Sequence, residues 1–369
     1  MNSLLVRGGI FMNAIKYLML LFAMLGALDR IIGNRFGLGK EFEKGFMLLG
    51  NMALSMIGMI ILSPWLAEVF KPLFVFFANT LHIDPSIVPA ALFANDMGGA
   101  PLAKAIALSP EMGLFNGLIV STMMGCTISF TIPYGLSLVD KSQHREMLLG
   151  LLCGLVTIPL GCLIAGVMLH LPLKSLLVDL LPLVIFSGVV ALGLIFNPEI
   201  SVKIFNAFGF FIKGLITFGL ALGVLRYLTG IELIKGLATL EEGADVCLNA
   251  AAVICGAFPL MYVVALLLKK PMKVVAKWLR VNEISVVGLV SSSATSMTTF
   301  GMIKEMDQKG VLLNAAFAVS GAFTFAGHLA FTMAFDATYI PSMIVGKLSA
   351  GILAVILANL MSKRLLATK

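Results

Sequence analysis

Apolar runs long enough to cross a lipid bilayer recur along the whole chain, near 10–28, 46–70, 112–137, 147–170, 176–196, 202–228, 245–268, 311–335 and 341–361. About 20 residues of α-helix match the roughly 30 Å hydrocarbon core of a bilayer. In lipid every backbone N–H and C=O needs a partner within the protein, and a single run of this length supplies its own only as an α-helix. The pattern predicts an all-α polytopic membrane protein. Composition agrees, because 59% of residues are hydrophobic and only 12% are charged, whereas soluble domains carry about 25% charged residues. No long polar stretch interrupts the 369 residues, so one transmembrane domain over 1–369 is expected.

The formal charge of +7 does not point to nucleic acid. The Lys and Arg residues fall between apolar runs, where cytoplasmic loops of membrane proteins carry them. Cys126, Cys153, Cys162, Cys247 and Cys255 lie inside apolar runs without metal-ligand spacing, so they read as small core hydrophobes; no metal and no cofactor is expected. The first run follows Arg7 but is longer than a signal-peptide core and lacks a small-x-small cleavage site, so it reads as a span.

Two further segments, 85–108 and 282–304, are apolar at both ends and polar in the middle. Charge decides how they sit. A cytoplasmic tail with Lys363, Arg364 and Lys369 puts Lys304 and Lys309 inside. Lys269, Lys270, Lys273, Lys277 and Arg280 then fall inside only if 282–304 enters and leaves from the cytoplasm. Arg30, Arg35, Lys40 and Lys44 fall inside only if 85–108 is re-entrant from outside; Lys141 and Arg145 agree, and the acidic loop with Glu232, Glu241, Glu242 and Asp245 falls outside. The expectation is nine crossings plus two re-entrant hairpins, N-terminus outside and C-terminus cytoplasmic.

The halves resemble each other at an offset near 198 residues. Glu43 to Gly45 matches Glu241 to Gly243, Asn51 matches Asn249, and Asn116 matches Asn314; Lys71-Pro72 matches Lys270-Pro271 within a residue, and small gaps align Asp140 with Asp336 and Gly150 with Gly346. The reading is a repeat over about 42–170 and about 241–361, joined by linker spans over about 176–228. Given the charge placement, the repeats run in opposite directions, a recurring design of secondary transporters whose substrate site lies near the midplane at broken helices.

The first polar centre is Ala94-Asn95-Asp96-Met97-Gly98-Gly99-Ala100-Pro101. Gly98 and Gly99 permit a sharp reversal, and Pro101 suits the first turn of a returning helix. Asp96 at midplane depth is a functional-site candidate, since an intramembrane carboxylate is costly; the competing reading is a helix cap or a pair with Lys104. The second centre holds Ser291, Ser292, Ser293, Thr295 and Ser296, hydroxyls that both donate and accept, or that merely satisfy their own helix. Gly125 to Pro133, containing Thr127, Ser129 and Phe130, is expected to break or kink its span and expose carbonyls. In the symmetric span Ser320, Thr324 and His328 are spaced to share one helix face; a lone His there is a proton or substrate contact, or a structural hydrogen-bonder. Lys16, Lys213 and Lys347 also fall in apolar runs and can snorkel. There is no P-loop, zinc-protease motif or Gly-x-Ser-x-Gly elbow, so neither ATP-driven pumping nor catalysis is expected.

Phe42 to Pro64 (FEKGFMLLGNMALSMIGMIILSP), Asn95 to Lys104 (NDMGGAPLAK), Ser121 to Pro133 (STMMGCTISFTIP) and Leu149 to Cys162 (LGLLCGLVTIPLGC) resemble the ethanolamine-utilisation permease family, and the similarity runs along nearly the whole chain. The resemblance implies import of ethanolamine across the bacterial cytoplasmic membrane, feeding a cobalamin-dependent ammonia-lyase elsewhere. Ethanolamine is a small cation with one hydroxyl. Asp96, with Asn95, Gly98 and Gly99 around it, suits the ammonium and the Ser/Thr centre suits the hydroxyl; Phe93, Phe130 or Tyr134 can add a cation–π face. Alternatives are a nucleoside or organic-acid carrier with hairpin tips, or a non-transporting membrane subunit. An organic acid would call for a cationic tip, and neither tip has one. Coupling ion, transport direction and homo-oligomeric assembly are left open.

Overall fold

The computed structural model describes residues 2–76, 79–80 and 83–367, and they form helices, turns and loops without a strand. Lys369, one of the tail charges, lies outside the described residues. The order is α1 (Asn2–Ile31), α2 (Leu38–Phe76), α3 (Ile87–Leu92), α4 (Gly99–Ile106), then a long helix over Pro110–Leu138. That helix begins as α5 (Pro110–Phe115) and ends as α6 (Ile132–Leu138), with π-helical turns over 116–125 and 127–131 between them. Next come α7 (His144–Met168), α8 (Leu173–Phe196), α9 (Pro198–Thr229), α10 (Leu240–Leu279), α11 (Glu283–Ala294), α12 (Ser296–Gly301), α13 (Gln308–Gly321), α14 (Gly327–Asp336) and α15 (Ile340–Ala367).

Seven stretches among the described residues are long and apolar enough to cross a membrane: 38–73, 110–138, 144–168, 173–196, 198–229, 240–268 and 327–366. The chain is a multi-pass membrane protein. These stretches contain seven of the nine expected spans. The run 10–28 falls within α1. The run 311–335 is not one helix: α13 stops at Gly321 and α14 starts at Gly327, so Ser320, Thr324 and His328 do not share a helix face as expected. The expectation of a break within Gly125 to Pro133 is also corrected. The chain stays helical there and widens into π turns, and Pro133 is accommodated directly after the wider turns, inside the continuous helix.

Burial separates the lipid-facing helices from the inner ones. α8 and α9 expose Leu181, Ile185, Val189, Ile195, Phe210, Phe211 and Phe218, as apolar surfaces bathed in acyl chains do. The helix over Pro110–Leu138 is almost wholly buried, between α3, α4, α13 and α15. α2 packs along α10, and α7 along α15 and α13.

Each of the two polar-centred segments stands on a knot of hydrogen bonds. In the first, Asp84 Oδ1 accepts from Ser86 N (3.0 Å) and Ser86 Oγ (2.5 Å), while Asp84 Oδ2 accepts from Leu108 N (2.9 Å). Asn116 Nδ2 donates to Ser86 Oγ (2.9 Å) and to Asp179 Oδ2 of α8 (3.0 Å). In the second, Asn282 Oδ1 accepts from Ser285 N (3.1 Å) and Ser285 Oγ (2.5 Å), Ser285 Oγ reaches Asp307 Oδ1 (3.0 Å), and Asn314 Nδ2 donates to Ser285 O (2.8 Å). Buried polar groups need such partners, and the knots fix where each segment starts and returns.

Candidate functional site

The segment 85–108 folds back on itself, with α3 packed against α4. Its centre is a single 3-10 turn, Asn95–Met97, closed by bonds from Met97 N (3.0 Å) and Gly99 N (2.8 Å) to Ala94 O. Gly98 has φ +106°, and any Cβ there would strike Met59 of α2, so the reversal needs glycine. Ala94 N donates to Ser129 Oγ (3.2 Å), pinning the turn to the π-helical wall. Gly125 on that wall lies directly under the Phe93 carbonyl, which leaves no room for a side chain. Asp96 is half-buried. It neither caps α4 nor pairs with Lys104, whose ammonium sits over the Phe335 ring, 5.2 Å from its centroid. The two structural explanations for this carboxylate are thereby absent.

The segment 282–304 also doubles back, α11 against α12, with one extended residue, Thr295, between them. Thr295 N donates to Ser291 O (2.8 Å), and Thr295 Oγ1 caps α12 by accepting from Met297 N (3.3 Å). Ser293 Oγ donates to Val290 O (2.6 Å). The free carbonyls at the end of α11 are taken by the break 322–326. Phe323 N donates to Ser292 O (3.0 Å), and Phe325 N donates to Ser293 O (2.8 Å). Phe323 holds φ +60°, an uncommon conformation for a bulky residue that such bonds sustain. Thr324 Oγ1 is spent on Gly321 O (2.8 Å).

The break joins the two centres. Its far side leads into α14, against which the Asn95–Met97 turn packs. Thr127 Oγ1 bonds both Met123 O (2.7 Å) and Val319 O (3.0 Å), tying the π-helical wall to α13. A row of rings crosses the same seam: Phe300, Tyr134, Phe130, Phe323 and His328, with neighbouring centroids 4.8–6.2 Å apart. Around this seam, Asn95 Oδ1 and Nδ2, Ser292 Oγ, Ser296 Oγ, Ser320 Oγ, His328 Nδ1 and Thr332 Oγ1 are buried without a hydrogen-bond partner among the described residues. An unpaired buried polar atom costs about 1–3 kcal/mol, and such a concentration marks a place prepared for something polar.

A cavity of about 500 Å³ opens beside the first centre, lined by Met97, Ser129 and Phe130 and continuing past Tyr134 and Ser137 to Asn51, Ser55, Asn206 and Lys213. Of the residues singled out in the sequence, Ser129, Phe130, Tyr134 and Lys213 line it; Asp96 and the hydroxyls of the second centre do not. Asn51 figured in the sequence only as a repeat match to Asn249, and Asn206 not at all, because an isolated amide in a span carries no spacing signal for a site. Lys347 is fully buried, and its Nζ donates to Thr122 O (2.7 Å) on the π-helical wall, whereas Lys16 and Lys213 are exposed.

No solved structure matches the chain. It is 42% identical over 352 residues to "Probable ethanolamine permease EutH" of Listeria monocytogenes, covering 95% of this chain and 94% of that protein. It is 37% identical over 379 residues to the protein of the same name in Salmonella typhimurium, covering 92% and 93%. It is 36% identical over 342 residues to "Uncharacterized protein YxeR" of Bacillus subtilis, covering 93% and 92%. The model of the family "Ethanolamine utilisation protein, EutH" matches residues 11–361, and the chain belongs to that family.

Proposed function

We propose that the chain is a secondary transporter or facilitator that imports ethanolamine across the bacterial cytoplasmic membrane. The substrate sits between two re-entrant tips near the bilayer midplane. The single observation that carries this reading is the collection of partnerless buried polar atoms and an unpaired carboxylate where the helices are broken. In this reading Asp96 takes the ammonium, Ser292 and Ser296 take the hydroxyl, and Phe130 offers a ring face. Asn95 supports the carboxylate, Gly98 and Gly99 let it approach, and Ser129 holds the tip in place. Ser291, Ser293, Thr295, Thr127 and Thr324 shape the chamber through their backbone bonds, and His328 closes its far wall. The permease names of the Listeria and Salmonella relatives support the same substrate.

The tips belong to two inverted repeats in this reading. Its support is the repeated order of elements: α2, α3–α4, 110–138 and α7 in one half, and α10, α11–α12, α13–α14 and α15 in the other. Equivalent elements also pack on each other, α2 on α10 and α7 on α15, as elements lying beside a two-fold axis do. Asp84, Ser86 and Asn116 find counterparts in Asn282, Ser285 and Asn314. At about 1.5 Å per residue, α3 and α4 are too short to span a bilayer. The orientation places Lys71 outside and Lys273 and Lys309 in the cytoplasm. Uptake of radiolabelled ethanolamine into proteoliposomes tests the function; absence of saturable, protein-dependent uptake would overturn it.

A further inference from the structure

Lys347 has no part in the reading above. It lies seven residues into α15, about 10 Å from the helix start, beyond the reach of a snorkelling side chain. It is 1% exposed. Its one hydrogen bond goes to a neutral carbonyl, Thr122 O, which the π-helical winding turns toward it. No carboxylate among the described residues lies within ion-pair distance of it. The titratable groups within electrostatic reach of it are Cys126 of the helix over Pro110–Leu138, Cys162 of α7 and His328 of α14; α13 brings no titratable group to that level, its Lys309 being bonded to Leu279 O at the helix foot. Cys126 is within electrostatic reach of both Lys347 and Asp96. One π-helical wall therefore carries both groups: the tip with Asp96 rests on it through Ala94 N to Ser129 Oγ and Phe93 O over Gly125, and the Lys347 ammonium is bonded to Thr122 O, with no bond between carboxylate and amine.

A buried ammonium with one neutral acceptor and no counter-ion is poorly stabilised. With Asp96 ionised and the chamber empty, the two charges cancel. When an organic ammonium settles on Asp96, the low-dielectric chamber holds two cations against one anion, and the cation easiest to neutralise is the one that can shed a proton. We infer that Lys347 is the proton-exchanging group of the transporter: its Nζ releases a proton as substrate ammonium binds Asp96 and takes one back as the substrate leaves. The N–H bond of Lys347 breaks and the proton passes to water on the open side of the chamber. One substrate ammonium and one proton move in opposite directions per cycle, so transport is electroneutral. This rests on the assignment of Asp96 as the ammonium site.

The test uses the full-length protein. In weakly buffered detergent solution with a pH indicator, at a pH high enough to keep Asp96 ionised, ethanolamine binding to the wild type releases close to one proton per amine bound, and binding to Lys347→Met releases none. In proteoliposomes containing a trapped pH dye, wild-type uptake alkalinises the lumen, is driven by an acidic interior, and ignores a potassium-diffusion potential. Lys347→Met uptake follows the potential and leaves the lumen pH unchanged. Lys347→Arg, whose cation cannot shed its proton, binds at least tenfold more weakly and releases no proton. Protein-free liposomes and Asp96→Asn set the background from passive amine entry. Stoichiometric binding by the wild type without proton release overturns the inference and leaves the ethanolamine reading standing; absence of any binding or uptake by the wild type overturns both. If Lys347→Met does not insert, the wild-type proton count and the response to potential still decide. Electrogenic wild-type uptake, or a Lys347→Met protein with the wild-type proton signal, sinks the proposal.

Discussion

Replacing Asp96 by Asn keeps the shape of the first tip and removes its charge. The empty protein loses no ion pair, because Lys104 is engaged with Phe335, and no cap, because α4 is closed by backbone bonds. Insertion and thermal stability are therefore expected to stay within about 0.5 kcal/mol of wild type, the range of substitutions outside special features. The bound state differs. An ammonium and a carboxylate about 3 Å apart attract by about 5–6 kcal/mol at an effective dielectric near 20. Asp96 is half-buried rather than sealed, so screening and desolvation reduce the net effect to about 3 kcal/mol, roughly a hundredfold in affinity. Uptake by Asp96→Asn, normalised to protein in the membrane, should lose saturation in the wild-type substrate range, while Asp96→Glu retains part of it. Proton and ammonium compete for the same carboxylate. Wild-type uptake at fixed ammonium should therefore weaken as the pH at the site falls. Wild-type rate and affinity in the Asn variant would refute the assignment and shift it to the wall carrying His328.

Ser292→Ala removes a hydroxyl with no protein partner and should weaken ethanolamine binding by about 0.5–1.5 kcal/mol while leaving ethylamine unchanged; equal losses for both amines would argue against hydroxyl recognition. Thr295→Ala removes the cap of α12 and should lower the melting temperature, by about 1 kcal/mol of stability, with equal effect on both amines. Gly125→Ala drives a methyl into the Phe93 and Ala90 carbonyls and should cost about 1–3 kcal/mol and abolish uptake, read by thermal melting and proteoliposome flux. Single cysteines at 71, 273 and 309, probed with an impermeant thiol reagent in intact cells, should label only at 71; labelling at 273 would contradict the re-entrant second segment.

Part of the fold was legible in the chain because hydropathy is local. Each apolar run partitions into lipid by its own composition, whatever its neighbours do, so seven of the expected spans coincide with long apolar helices. The reversals at Gly98 and Thr295 were also readable, since Gly-Gly-x-Pro and a dense Ser/Thr run break helices through their own backbone and side-chain chemistry. The break at 322–326 was not. Its residues are mostly Ala and Phe, and it persists because Phe323 N and Phe325 N find the carbonyls of Ser292 and Ser293, some thirty residues earlier. Nor was the fate of the three lysines, which sit in similar apolar surroundings: Lys16 and Lys213 face outward, and Lys347 is enclosed and reaches Thr122 O. The sequence alone determined the solvent and the position of seven long apolar helices, because transfer into lipid adds up residue by residue. Only the tertiary structure decided which polar atoms are left without partners, because satisfying a buried hydrogen bond depends on groups brought together from distant parts of the chain.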